Sequence, residues 1–114
     1  MTITIENSQR VKVNDVGDVY KITFSDTPPE FTFIEGTTKC KFIAKHKTDS
    51  TGDFSGECVV NAAGKSAAYT TAAGNNSVLG AYNFEFEFYT DPASYIQTYP
   101  KTSALSYTVI EDLN

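Results

Sequence analysis

At 114 residues the chain fits one domain, 1–114, long enough to bury roughly two-thirds of its extended surface. A net charge of −5, with nine Lys and Arg spread thinly, argues against nucleic acid as a partner, and no apolar run reaches the ~18–20 residues of a membrane-spanning helix. Thr, Tyr, Phe and Val are plentiful while Leu, Met and Arg are scarce, a bias toward pleated strands over helices.

The first residues, Met1 to Asn7, carry no basic region followed by an apolar one, so no secretory signal is expected and synthesis is placed in a cytoplasm. Thr2 to Ile5 and Val11 to Val13 alternate around a polar step at Glu6-Asn7-Ser8. Asn14 to Asp18 reads as a turn. Val19 to Phe24 follows as a strand with Tyr20, Ile22 and Phe24 on one face. Pro28-Pro29 cannot donate to a sheet and forces a loop, after which Phe31, Phe33 and Ile34 approach a turn at Glu35-Gly36. Lys39 to Lys45 alternates again, with Cys40, Phe42 and Ala44 inward. A polar loop at Thr48 to Gly52 separates it from a strand expected over Phe54 to Val60.

Asn61 to Gly64 is a tight connection, Ser66 to Thr71 a weaker strand, and Ala72 to Ser77 a loop of small residues. The strongest signal comes next. In Gly80 to Phe88, Tyr82, Phe84, Phe86 and Phe88 fall on one side and Asn83, Glu85 and Glu87 on the other. Such alternation marks a half-buried strand, and four rings on one face call for a second sheet to cover them. Thr90 to Ser103, with Pro92 and Pro100, is a long loop containing a short edge segment near Tyr95 to Thr98. Ala104 to Ile110 closes the chain, with Leu105, Tyr107 and Val109 inward. No segment repeats apolar residues at helical spacing. Seven to eight short strands about ten residues apart predict an all-β, antiparallel β-sandwich.

Lys39, Lys41 and Lys45 share the outward face of one strand, and Glu85 and Glu87 that of another, so these two strands are expected to be neighbours in one sheet. Cys40 and Cys58 each sit at inward positions. They suit a disulfide across facing strands or, as a reducing compartment favours, two buried thiols acting as small hydrophobes.

No constellation of catalytic residues emerges. His46 is the single histidine, and six residues of strand hold it roughly 20 Å from Cys40, too far for a nucleophile–base pair. Two cysteines and one histidine make a poor zinc set. Glu85 and Glu87 have the spacing of paired acid–base carboxylates but read as the charged exterior of a strand. Asp49 to Asp53 has the oxygen density of a cation loop without the ordered ligand series of one, and reads as a solvated turn. The expectation is no enzyme, no cofactor and no metal. Tyr89, Tyr95 and Tyr99, with Pro92 and Pro100, form an aromatic region suited either to an interaction surface or to covering the open end of the sandwich.

Leu79-Gly80-Ala81-Tyr82-Asn83-Phe84 is similar to the corner before the sixth strand of immunoglobulin-like sandwiches. That similarity makes Tyr82 the corner tyrosine, its hydroxyl bonding back to the corner backbone. It also puts Phe84 where the family's inter-sheet cysteine stands. The chain as a whole resembles, in the order and character of its segments, the N-terminal domain of the upper baseplate proteins of siphophages. The resemblance runs through Gly17-Asp18 into Val19 to Phe24, Cys40-Lys41-Phe42, Gly56-Glu57-Cys58-Val59-Val60, Gly64, Gly80 to Glu87 and Ser106 to Leu113. It implies an immunoglobulin-like module that docks on the tail hub or on copies of itself. It also implies residence in the virion tail or baseplate after synthesis in the bacterial host cytoplasm. In that family a helical linker with receptor-binding modules follows, whereas this sequence ends at Asn114. A carbohydrate- or cell-surface-binding module, with Tyr89, Tyr95 and Tyr99 as a stacking platform, is the alternative.

Overall fold

Two β-sheets packed face to face form a sandwich in the computed structural model, which describes residues 3–7, 9–28, 31–90, 96–101 and 105–111. In chain order the strands are β1 (Ile3–Glu6), β2 (Arg10–Lys12), β3 (Val19–Phe24), β4 (Thr38–His46), β5 (Phe54–Glu57), β6 (Val59–Asn61), β7 (Ser66–Thr70), β8 (Gly80–Thr90), β9 (Ile96–Tyr99) and β10 (Leu105–Ile110). The smaller sheet runs β1-β3-β7-β6. The larger runs β2-β10-β8-β4-β5, with β9 also on β8. These orders reproduce the two sheets of an immunoglobulin-like sandwich, with β8 in the place of the sixth strand. The one helical turn among the described residues is a 3-10 turn at Ser50–Gly52.

The aromatic alternation of β8 decides the layering. Tyr82, Phe84, Phe86 and Phe88 are all fully buried, or nearly so, and the residues between them are half-buried on the outer face. Opposite them, β3 contributes Tyr20, Ile22 and Phe24 from the other sheet. The rings form two groups. Around Phe42 lie Tyr20, Phe54, Tyr69, Phe84 and Phe86, with the Tyr69 ring stacked on it at 5.0 Å and 5°. Toward the other end, Phe24 packs against Phe31, Phe33, Phe88 and Tyr99. Tilted and edge-to-face pairs at these distances add about 0.5–1.5 kcal/mol each beyond simple burial. Gly56 sits where any Cβ would collide with the Tyr69 ring, so the stack requires glycine there.

One run of the sequence divides into two strands. Phe54 to Val60 breaks at Cys58, where the chain leaves β5 in the larger sheet and enters β6 in the smaller. The N-terminal segment likewise leaves β1 in the smaller sheet and reaches β2 in the larger. Alternation survives such a crossing, because each piece still turns alternate residues toward the shared core, so the pattern alone does not reveal it. The described residues hold ten strands, against the seven to eight expected. Among the described residues one pair departs from the antiparallel rule: β2 runs parallel to β10, with Val11 beside Val109.

β4 and β8 are neighbours, paired antiparallel from Thr38↔Thr90 to His46↔Tyr82, so the lysine and glutamate faces lie in one sheet. Cys40 is buried, Cys58 is half-buried, and both are free thiols.

Candidate functional site on the outer sheet face

Every second residue of β4 and β8 that does not enter the core joins the outer face of the larger sheet. The register sets Lys39 beside Tyr89, Lys41 beside Glu87, Ile43 beside Glu85 and Lys45 beside Asn83. On the far side of β4, Lys41 meets Glu57 and Ile43 meets Ser55. Lys41 is thus flanked by a glutamate on each neighbouring strand, an arrangement of opposite charges that stabilises strand pairing. The Tyr89 hydroxyl donates to Glu57 Oε1 at 2.6 Å, linking the two strands that flank β4. Around Ile43 runs a groove of about 190 Å³ bordered by Lys45, Asn83 and Glu85. A second hollow beside it reaches Asp53 and Ser55. The face can offer both signs of charge, a tyrosine and a small apolar centre.

The three late tyrosines do not form one platform. Tyr89 lies half-buried on the outer face. Tyr95 lies outside the described residues. Tyr99 is 1% exposed, against the expectation of a surface residue. Its ring packs edge-on against Phe24 at 5.0 Å and Phe88 at 5.9 Å, and the Lys101 ammonium lies 4.7 Å from its centroid. The register explains the correction. β9 pairs Tyr99 with Phe86, an inward residue, and directly opposed residues point to the same face.

Tyr82 occupies the corner. Its hydroxyl donates to Val78 O at 3.1 Å and receives Val78 N–H at 3.3 Å. Burial raises its pKa, with the Val78 backbone working against the rise. Phe84, Phe86 and Phe88 are core residues, while Cys40 lies on β4 and Cys58 just past the end of β5 beside it.

His46 is a fastener. Its Nδ1 accepts the backbone N–H of Asp49 at 2.9 Å and of Thr48 at 3.1 Å, which leaves the proton on Nε2 to donate to Leu79 O at 2.7 Å. Its backbone N–H donates to Asp53 Oδ1 at 2.8 Å. Gly80, at φ +119°, leaves room for this ring: a Cβ there would lie 2.8 Å from Nε2. The Asp49 to Asp53 segment is likewise occupied with itself. Asp49 Oδ1 accepts both the N–H and the hydroxyl of Thr51, which holds its carboxyl below the usual carboxylate range. No group of three or more His, Cys, Asp or Glu suited to a metal occurs among the described residues.

The sequence passes over Asn75 and Asn76. The Ala72 to Ser77 segment is tied down: Asn75 Oδ1 accepts Ala72 N–H and the Tyr69 hydroxyl. Asn76 is wholly buried at φ +52° and accepts the Tyr107 hydroxyl at 2.6 Å. The available signal is the residue type, since asparagine tolerates positive φ and carries its own hydrogen-bonding side chain.

Strand order, corner tyrosine and sheet face together define an immunoglobulin-like β-sandwich whose most featured surface is the outer face of its larger sheet. No protein-family model matches the chain, and no curated protein matches it at a significant level.

Proposed function

We propose that this domain is a non-enzymatic assembly module of a phage tail baseplate, docking on the tail hub through the outer face of its larger sheet. The observation that carries the reading is the face itself, where Lys39, Lys41 and Lys45 interleave with Glu57, Glu85 and Glu87 around Ile43, with Tyr89 at one end. Interfaces of this kind draw specificity and fast encounter from charge complementarity and binding energy from a few central apolar or aromatic residues. The face extends along β8 for 11 residues, roughly 36 Å at ~3.3 Å each, and a stable contact buries ~800 Å² per partner. The partner comes from the sequence resemblance to the upper baseplate domain. His46 and Asp49 support a structural reading, because His46 Nδ1 and Asp49 Oδ1 are engaged in holding backbone.

The carbohydrate alternative depended on exposed, coplanar tyrosines, and Tyr99 is inside the core. The deciding experiment presents immobilised domain to the purified tail hub of a related phage and, in parallel, to purified cell-wall polysaccharide. Retention of the hub, lost in a folded Glu85→Lys variant, is the expected result. Retention of polysaccharide alone overturns the proposal, as does hub binding indifferent to charge reversal on this face.

A further inference from the structure

We infer that Cys40 and Cys58 are a cross-strand thiol pair that closes to a disulfide when a small-molecule disulfide supplies the oxidant, stapling the point where the chain leaves the larger sheet for the smaller. The β4–β5 register pairs Lys41 with Glu57, and one step further along it sets Cys40 directly opposite Cys58. The backbone itself makes that step, since Cys58 N–H donates to Cys40 O at 2.8 Å. Opposed residues bonded this way in an antiparallel pair have Cα atoms about 5.5 Å apart, within the ~4.4–6.8 Å range that disulfides span. Both side chains point inward, Cys40 in phase with Phe42 and Cys58 in phase with Phe54. The Cys58 thiol is, after burial itself, the next cause that pushes the Cys40 thiol upward. Closure then needs the two side chains to rotate toward each other.

The two thiols differ in access, which orders the chemistry. Cys58 is half-buried beside the exposed Glu57 and Val59, whereas Cys40 has no exposed surface. With oxidised glutathione as oxidant, Cys58 thiolate attacks one glutathione sulfur and releases the other half as glutathione thiolate, which takes up a proton. Cys40, losing its proton to solvent, then attacks Cys58 Sγ and expels the second glutathione. Two protein thiols are oxidised to one disulfide, and one glutathione disulfide is reduced to two thiols. Burial disfavours the Cys40 thiolate, so the second step is the slow one. A thiol-rich cytoplasm keeps the pair reduced, and an oxidising medium closes it.

The test incubates the full, folded chain with increasing ratios of oxidised to reduced glutathione, quenches in acid, alkylates in denaturant and measures intact mass. The expected product is a monomer lighter by two hydrogens with neither cysteine alkylated, and a Tm above that of the reduced chain. Cys40→Ala should stop the reaction at a glutathione adduct on Cys58, while Cys58→Ser should leave Cys40 unmodified. A wild-type chain that accumulates the adduct without closing, links to a second copy, or keeps both thiols while folded overturns the inference.

Discussion

Single atoms hold the corner at the start of β8. The Tyr82 hydroxyl satisfies both backbone groups of Val78, and it fits because Gly52 carries no side chain: a Cβ there would lie 2.7 Å from that oxygen. The ring is stacked on Tyr107 at 5.2 Å and 2°, and the Tyr107 hydroxyl in turn secures Asn76. Tyr82→Phe keeps the stack and removes only the hydroxyl, leaving the Val78 N–H and carbonyl without it. A buried group stripped of its partner costs about 1–3 kcal/mol, so a loss of about 1–2 kcal/mol is expected, given that Val78 is half-buried. Urea unfolding of the variant should give a lower midpoint at unchanged slope. An unchanged midpoint would mean the corner hydrogen bonds contribute nothing net.

At the scale of elements, β4 and β8 form the spine of the larger sheet. Their pairing was legible in the sequence because two signals agreed: inward rings at Phe42, Phe84, Phe86 and Phe88, and outward charges of opposite sign. The break at Cys58 was not legible, because a strand that changes sheets keeps the same inside–outside rhythm. Tyr99 was misplaced for a related reason. A four-residue strand beside Pro100 shows little alternation of its own, and its phase is set by its partner Phe86. The candidate face was half legible: lysines and glutamates were visible as a pair of strands, but Glu57 and Tyr89 joined them only through the fold. Lys41, between Glu57 and Glu87, offers a measure of that face. Lys41→Glu would place three carboxylates in a row across β5, β4 and β8, turning two favourable cross-strand neighbours into like-charge ones. At about 0.2–1 kcal/mol per pair the variant should lose roughly 1 kcal/mol in low salt and recover part of it as salt screens the repulsion. Equal stability of variant and parent at all ionic strengths would show these positions to be energetically independent.

For the whole molecule, 43 × 27 × 25 Å in extent, the sandwich is held together between its sheets largely by rings, several of them tyrosines with buried hydroxyls. That choice makes the fold sensitive to alkali. Burial pushes Tyr20 up to about 12, with Asn76 and Tyr107 opposing the rise and the charge of Asp18 adding to it. Tyr107 is raised as well, by burial first and then by Tyr20. In the unfolded chain both titrate near the ordinary tyrosine value of about 10. A tyrosine raised in the folded state contributes its full stabilisation below pH 10, where it is neutral in both states. That contribution falls once the unfolded chain begins to ionise, and it is lost as pH rises through the folded pKa. Stability should therefore hold up to about pH 10 and decline toward pH 12, with tyrosinate absorbance appearing in step with loss of the sheet circular dichroism signal. Tyr20 provides the control. Its hydroxyl lies beside Asn76 and Tyr107 yet completes a hydrogen bond with neither, so Tyr20→Phe removes a buried polar atom that has no partner. The variant should match or exceed the parent at neutral pH, since removing an unpaired buried hydroxyl costs little, and its alkaline transition should move to higher pH. A transition that stays in place would assign the alkaline weakness to Tyr107 and the corner around Asn76. A marked loss of stability at neutral pH would mean that the Tyr20 hydroxyl has a partner in solution.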